Sequence, residues 1–199
     1  GLEYETREIQ PRTESMRSPD FVRLSARGKV PLLEDGERVM GESGAILFHL
    51  AERYRDRIEL APESNTRARA DFDDLCFFIL TELDAVLYII RRHEGLPEIY
   101  GSAPVATQAA RDYFLRQVGE PERRLEDGRR HLLGENFSAV DILLSSCLSW
   151  AQFVGIDLGE VLVSYQRRVT ARDAYRRASE RNFTPEALRL LKPPDLPSV

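Results

Sequence analysis

Glu42 and Ser43 are the residues whose types and position best suit binding chemistry, because they stand at the predicted start of a helix. The N-terminus of a helix carries unpaired N–H groups and a partial positive charge, so it can bind a carboxylate. The hydroxyl of Ser43 could add a donor, and the carboxylate of Glu42 could pair with an ammonium group. The pair therefore suits the end of a ligand that carries both charges. The alternative is that Ser43 is only the N-cap residue and Glu42 an acid that favours the helix dipole.

A β-hairpin and a helix are predicted to position these two residues. Residues 30–33 are mostly apolar and suit a buried strand, and Glu37 to Met40 is the return strand. Asp35-Gly36 between them is typical of a type I′ turn, which needs positive φ at both central residues. The helix that follows has its apolar residues on one broad face. They are Ala45, Ile46, Phe48, Leu50 and Ala51.

This hairpin and helix resemble the glutathione-binding half of the glutathione S-transferase family. The shared marks are Val30-Pro31 before the hairpin and Glu42-Ser43 at the helix start. The resemblance implies that Pro31 is cis and that the backbone of Val30 pairs with the cysteinyl part of glutathione, as a strand edge would. It also implies that Glu42 and Ser43 bind the γ-glutamyl group and that Lys29 contacts the glycyl carboxylate.

The second half of the sequence is predicted to be helical. Apolar residues recur at three- and four-residue steps in one long amphipathic helix that ends near Gly95. A second long helix is predicted from about Val105 to Arg130, where Gly119 and Pro121 interrupt the pattern.

The helix predicted from Ser138 to Val154 has a recognisable start. Ser138 takes the N-cap position and Asp141 the N3 position, where an acid can accept a hydrogen bond from the N-cap backbone. The rest of this helix is apolar on nearly every side, which is typical of a helix buried all round. The S-x-x-D start resembles the core helix of the family's all-helical second domain, where its role is in folding.

The resemblance divides the chain into two domains. It predicts an α/β thioredoxin-like, glutathione-binding domain over residues 1–57, a linker over 58–65 and an all-α domain over 66–199. Tyr4 to Ile9 resembles the family's second strand. The first strand and helix, which carry the family's catalytic Ser, Tyr or Cys, are therefore expected upstream. No residue of the sequence is identified as the catalyst, and the first domain is expected to be incomplete within these 199 residues.

Composition and the isolated reactive residues narrow the function further. The formal net charge of −5 argues against nucleic acid as the main partner. No apolar run is long enough to span a membrane, so a cytoplasmic location is the default.

Cys76 and Cys147 lie in apolar helical patterns and are predicted to be buried, reduced thiols. The three histidines lack metal-ligand spacing, so no metal site is expected, and His49 is interpreted as structural. Tyr88 could line a hydrophobic substrate pocket or fill the core.

The function implied by the resemblance is that of a glutathione transferase. Such an enzyme uses the thiolate of glutathione, its co-substrate, to attack a small hydrophobic electrophile in a pocket between the sheet domain and the long helix. The family also implies a homodimer and a role in detoxification. Two alternatives remain on the same fold: a non-catalytic protein-interaction module, and a glutathione-dependent thiol–disulfide, isomerase or dehalogenating enzyme.

Overall fold

The structure is a computed structural model that describes residues 2–9 and 13–183. The chain forms two compact units, Gly1–Ala61 and Pro62–Val199, which we call unit 1 and unit 2. The boundary between them lies inside the segment 58–65 that the sequence analysis assigns to a linker. The proline-rich tail, residues 192–197, lies outside the described residues.

Unit 1 contains a small sheet and two helices. A short 3-10 helix (Glu14–Arg17) precedes α1 (Pro19–Leu24), and the hairpin of β1 (Leu33–Asp35) and β2 (Arg38–Met40) leads into α2 (Ser43–Arg53). The two strands are antiparallel, and Leu33 pairs with Met40, Glu34 with Val39 and Asp35 with Arg38.

The strand predicted at Tyr4 to Ile9 is wrong for this structure. Residues 2–9 have no regular secondary structure, and the sheet within the described part of the chain has only β1 and β2. A strand needs a neighbour for its backbone N–H and C=O groups, and no described strand pairs with this segment. An ion pair between Arg7 and Glu34 at 3.2 Å links the segment to the hairpin.

The hairpin is confirmed, but its turn lies one residue later than predicted. Asp35 is the last residue of β1, so the two loop residues are Gly36 and Glu37. Gly36 has a φ of 64°, whereas Glu37 does not have a positive φ. This is the pattern of a type II′ turn, with glycine at the first central position, and not of type I′. Val30 was predicted to lie in the buried first strand, but it precedes β1 and is 41% exposed, so this part of the prediction is wrong.

The named secondary-structure elements in the described part of unit 2 are all helical. Its elements are α3 (Arg67–Phe78), a π-helical segment (Ile79–Asp84), α4 (Ala85–His93), α5 (Pro97–Tyr100), α6 (Pro104–Leu125), α7 (Ala139–Phe153), α8 (Glu160–Thr170) and α9 (Asp173–Asn182). The first three follow each other without a gap, so the predicted long helix ending near Gly95 is confirmed, with a π-helical turn that the apolar pattern does not indicate. Among the helices described, none is both long and apolar enough to cross a membrane.

The second long helix, α6, is more regular and shorter than predicted. It continues through Gly119 and Pro121 and ends at Leu125, five residues before the predicted end at Arg130. Pro121 is buried within the helix. Gly119 and Pro121 therefore interrupt the apolar pattern without ending the helix, although a proline removes one backbone hydrogen bond.

The core of unit 2 lies around α7. Nine of its fifteen residues are buried, but Phe153 is 56% exposed, so the helix is buried on most sides and not all round. Large side chains from the other helices fill the space around it, among them Phe72, Leu83, Leu87, Phe114 and Tyr165. Cys76 and Cys147 are buried free thiols, as predicted. Burial raises the pKa of Cys76 to about 12, which keeps this thiol protonated and unreactive.

Asp141 joins the start of α7 to its surroundings. Ser138 is the N-cap residue, and its backbone N–H donates to Oδ2 of Asp141 at 2.8 Å, while its hydroxyl donates to the same oxygen at 3.1 Å. Oδ1 accepts from the backbone N–H of Leu132 at 3.0 Å and from the hydroxyl of Tyr165 at 2.7 Å. One buried carboxylate thus connects the loop before α7, the helix itself and α8.

Candidate functional site

The start of α2 is open to a ligand. Ser43 is the first helical residue, and it is preceded by Glu42, which makes no side-chain cap. The first backbone hydrogen bond of the helix runs from the N–H of Ile46 to the C=O of Glu42 at 3.0 Å. Within the described part of the chain, no group accepts from the N–H groups of Ser43, Gly44 or Ala45. Three donors therefore point out of a helix N-terminus, where an anion is stabilised.

Glu42 has an unusual backbone conformation. Its φ is 63° and its ψ is 112°, in a region that residues with a side chain rarely occupy. Such a conformation costs about 1–3 kcal/mol, and it persists at sites where the surrounding structure requires it. Because Glu42 takes the N-cap position, the interpretation of Ser43 as the N-cap residue is wrong. The hydroxyl of Ser43 is exposed and available as a further donor.

An ion pair holds the side chain of Glu42. Nη1 of Arg27 donates to Oε1 of Glu42, and the two side chains are 68% and 62% exposed. Exposed ion pairs contribute little to stability because water screens them. The carboxylate of Glu42 can therefore exchange this partner for an ammonium group at low cost.

The Val30-Pro31 segment lies next to the residue that leads into α2. The peptide bond between Val30 and Pro31 is cis, and both residues are exposed. A Cβ atom added to Gly41 would lie 3.6 Å from Cδ2 of Leu32 and 3.8 Å from the C=O oxygen of Pro31. The fold therefore brings this segment beside the start of α2.

Lys29 is held by its backbone. Its N–H donates to the hydroxyl oxygen of Ser25 at 3.0 Å, and the same hydroxyl donates to its C=O, also at 3.0 Å. Its side chain is exposed. The arrangement fixes the loop before Val30 and leaves the ammonium group of Lys29 free to reach an anion.

Comparison with known proteins shows a likeness to glutathione S-transferases. Residues 1–52 match the family model described as "Glutathione S-transferase, N-terminal domain". The protein named glutathione S-transferase GST-4.5 of Xanthomonas campestris pv. campestris is 26% identical over 155 residues, which cover 72% of this chain and 70% of that protein. A glutathione transferase from Methylococcus capsulatus has a solved structure that is 29% identical, with a TM-score of 0.74 over 82% of this chain and 78% of that one. The N-terminal part of the chain thus matches the glutathione S-transferase N-terminal domain, and most of the chain is similar to glutathione S-transferases.

A second solved structure shows the same likeness. A sphingomonad glutathione S-transferase complexed with glutathione is 25% identical to this chain, with a TM-score of 0.73 over 84% of this chain and 80% of that one. The predicted fold class is confirmed: a thioredoxin-like N-terminal part is followed by an all-α part, as in the glutathione S-transferases that the chain resembles.

Tyr88 is on the surface of unit 2 and not in its core. It is 44% exposed, and its ring meets that of Trp150 edge to face with centroids 4.7 Å apart. The guanidinium of Arg92 lies 5.9 Å from the centre of the Tyr88 ring. Tyr88 therefore does not fill the core. Its other interpretation, as a residue that lines a substrate pocket, stays a prediction.

His49 has a structural environment, in line with its interpretation from the sequence. Its Nε2 lies 2.7 Å from Oδ2 of Asp35, and Nε of Arg53 forms an ion pair with the same oxygen at 2.8 Å. These bonds tie the end of β1 to α2. A depression of about 410 Å³ is lined by these three residues together with Arg38 and Glu52, and it does not include Glu42 or Ser43.

Two features were not predicted from the sequence, one at the start of α2 and one within unit 2. Arg27, the partner of Glu42, is one of 26 arginines, and no local pattern distinguishes it. Asp84 is the second: it ends the π-helical segment, and its Oδ1 accepts from the thiol of Cys147 at 3.9 Å. Burial raises the pKa of Asp84, although the thiol hydrogen bond opposes this. Within the part of the chain that the structure describes, no cluster of residues could hold a metal ion.

Proposed function

We propose that unit 1 binds glutathione at the start of α2 and that the protein is a glutathione transferase. The observation that carries the proposal is the open N-terminus of α2, with three unpaired N–H groups beside the strained residue Glu42. A strained backbone at a helix start indicates a functional requirement, because the fold alone gains nothing from it.

The γ-glutamyl end of glutathione carries one carboxylate and one ammonium group, and the site offers a partner for each. The carboxylate would accept hydrogen bonds from the N–H groups at the start of α2 and from the hydroxyl of Ser43. The ammonium group would pair with the carboxylate of Glu42 in place of Arg27. Both partners are exposed, so the ligand can reach them without rearrangement of the backbone.

The rest of the glutathione molecule would extend towards the Val30-Pro31 segment. The backbone of Val30 would pair with the cysteinyl residue, beside Pro31, and the ammonium group of Lys29 would contact the glycyl carboxylate. The exposure of these residues and their position beside Gly41 support this placement.

The reaction would be an attack of the glutathione thiolate on a small hydrophobic electrophile. A carbon–sulfur bond forms at the electrophilic carbon, and the leaving group departs with its electron pair. The thiolate is the reactive form, so the enzyme must lower the pKa of the thiol. We assign no residue of this chain to that role. A homodimer, a cytoplasmic location and a role in detoxification belong to the same proposal and are supported by the family alone.

The binding part is tested by titrating glutathione into the protein and measuring the heat. Ser43→Ala should weaken binding about tenfold, because it removes a hydrogen bond to a charged group worth about 1.5 kcal/mol. The chain offers a matched control in Ser64→Ala, since Ser64 also follows a glutamate, is exposed and lies outside any helix. This control should bind as the wild type does. Equal affinities for the two variants, or a wild-type Kd far above about 1 mM, would contradict the proposal.

The catalytic part is tested by a conjugation assay with a chloronitrobenzene, in which the release of chloride accompanies formation of the thioether. Conjugation by the wild type, with a loss of turnover in Ser43→Ala that matches its loss of glutathione affinity, would support a transferase. Tight glutathione binding without any conjugation would favour the alternative of a non-catalytic module.

A further inference from the structure

Three arginines of unit 2 lie near the loop that precedes α7. We call Arg130, Arg168 and Arg172 the arginine corner. The guanidinium of Arg172 lies 3.4 Å from the centre of the Phe137 ring, and that ring meets His131 edge to face at 5.6 Å. The corner therefore has an aromatic base that orients one of its cations.

Arg168 reaches the same corner from α8. Its guanidinium lies 6.0 Å from the centre of the Tyr165 ring, and its Nη1 donates to the hydroxyl of Ser164 at 3.2 Å. The hydroxyl of Tyr165 in turn donates to Asp141, whose Oδ1 is 3.8 Å from Nδ1 of His131. The three arginines and His131 thus share one electrostatic environment.

No acid in the described part of the chain forms an ion pair with the arginines of this corner. Ten other arginines form ion pairs with an aspartate or glutamate, whereas none of the three does so with any residue that the structure describes. The acids closest to them in sequence are already used, since Asp127 pairs with Arg129 and Asp173 with Arg176.

The one carboxylate at the corner cannot serve the arginines. Asp141 has no exposed surface, and its two oxygens already accept four hydrogen bonds. Its single charge also leaves a net surplus of two positive charges among the four groups. Uncompensated charge near a buried base is unfavourable, and an anion from solution would relieve it.

His131 shows the effect of this surplus. Its Nδ1 is buried and has no hydrogen-bond partner among the described residues. Burial lowers the pKa of His131, Asp141 opposes this, and the charges of Arg130, Arg172 and Arg168 lower it further. An imidazole that is kept neutral beside three cations is a sensitive reporter of any anion that enters the corner.

Arg172 is arranged as a ready-made donor. It is partly buried, its guanidinium lies over the Phe137 ring, and it forms no ion pair with a described residue. Guanidinium groups bind tetrahedral oxyanions through two parallel N–H bonds, and the net surplus of two positive charges at the corner matches the charge of a phosphate dianion. We propose that Arg130, Arg168 and Arg172 form a site for a phosphate group, either free phosphate or the phosphate of a small metabolite.

The test follows the C2–H signal of His131 by NMR during titration with inorganic phosphate, with sodium chloride adjusted to keep the ionic strength constant. The signal should shift saturably, and the pKa of His131 should rise when phosphate is bound, because a nearby dianion favours the imidazolium. The signals of His49 and His93 should not saturate in parallel. A second titration with glycerol phosphate distinguishes the two sources, since the tighter ligand identifies the natural one.

A double variant, Arg168→Gln with Arg172→Gln, should bind phosphate at least tenfold more weakly. The matched control is Arg167→Gln with Arg177→Gln, which removes the same charge from exposed positions on α8 and α9 and should change the affinity less than twofold. Arg130→Gln, a change at an exposed loop residue, is the second test if loss of the Phe137 stack prevents folding.

Two results would overturn the proposal: a phosphate effect that does not saturate, or an equal loss of affinity in the corner and control variants. Either would mean general screening by surface charge. The corner lies within unit 2 and shares no residue with the proposed glutathione site. The double variant should therefore keep its glutathione affinity, so that failure of one proposal is not mistaken for failure of the other.

Discussion

Replacement of Asp141 by alanine should destabilise unit 2 severely. The carboxylate accepts two backbone N–H bonds, from Leu132 and Ser138, and two hydroxyl bonds, from Ser138 and Tyr165, all between 2.7 and 3.1 Å. Leu132 and Tyr165 are 0% exposed and Ser138 is 6% exposed. Water therefore cannot easily replace the lost acceptor.

The magnitude follows from the number of buried donors that lose their acceptor. Each buried donor left without a partner costs about 1–3 kcal/mol. The two N–H groups and the hydroxyl of Tyr165 together give a loss of about 3 kcal/mol at the lower bound of that range. This is a large share of the roughly 5–15 kcal/mol by which a typical domain is stable. Tyr165→Phe removes one hydroxyl donor and should cost only about 1 kcal/mol.

Urea unfolding followed by tryptophan fluorescence measures this loss in the right part of the chain. Trp150 is the only tryptophan of the sequence and lies in α7, so its signal reports unit 2 even if the two units unfold separately. Asp173→Ala is the matched control, because Asp173 is also a first-turn acid but is 75% exposed and pairs with exposed Arg176. Its cost should be below about 1 kcal/mol. An equal loss of stability in both variants would refute the reasoning.

Three further predictions concern backbone conformation and pH. Glu42→Gly should stabilise unit 1 by about 1 kcal/mol in thermal unfolding, because glycine adopts a positive φ without strain, and it should weaken glutathione binding. Asn65→Gly is the control: Asn65 has a φ of 63°, so the change should stabilise its segment without affecting glutathione binding. Gly36→Ala should destabilise the hairpin by about 1 kcal/mol, because its φ is 64°, whereas Gly119→Ala inside α6 should stabilise by a similar amount in urea unfolding. Burial lowers the pKa of His131 in the folded state, so protons bind preferentially to the unfolded state. The stability of unit 2 in phosphate-free buffer should therefore fall as the pH drops below about 6.5, and His131→Phe should remove part of that slope; an unchanged slope would contradict this.

Elements specified by local sequence were predictable. The start of α7 depends on two residues three positions apart, Ser138 and Asp141, and a local pattern of this kind can be read without knowledge of the fold. The long apolar periodicities of α3 and α4 likewise give the helices, because one face of each must be buried.

Features that depend on contacts between distant residues were not predictable. The turn begins after Asp35 because that residue stays in β1, where its carboxylate bonds to His49 and Arg53 from α2. A sequence pattern cannot show a register that is fixed by residues more than a dozen positions away. The π-helical segment is missed for a related reason, since one extra residue in a turn leaves the apolar spacing almost unchanged.

The candidate glutathione site was predictable in its residue types but not in its conformation. The sequence indicates Glu42 and Ser43 at a helix start, yet it suggests that Ser43 is the cap and gives no sign of the positive φ at Glu42. It also gives no sign of the ion pair with Arg27, because this joins two exposed residues fifteen positions apart. Both depend on how the loop before Val30 packs against the start of α2.

The most direct test of the central claim is the backbone amide NMR spectrum of the protein during titration with glutathione. If the ligand binds at the start of α2, the amide signals of Ser43, Gly44 and Ala45 should shift most and saturate together with that of Val30, because these groups would gain an acceptor. Shifts that are absent at these four amides, or that centre on residues of unit 2, would contradict the account.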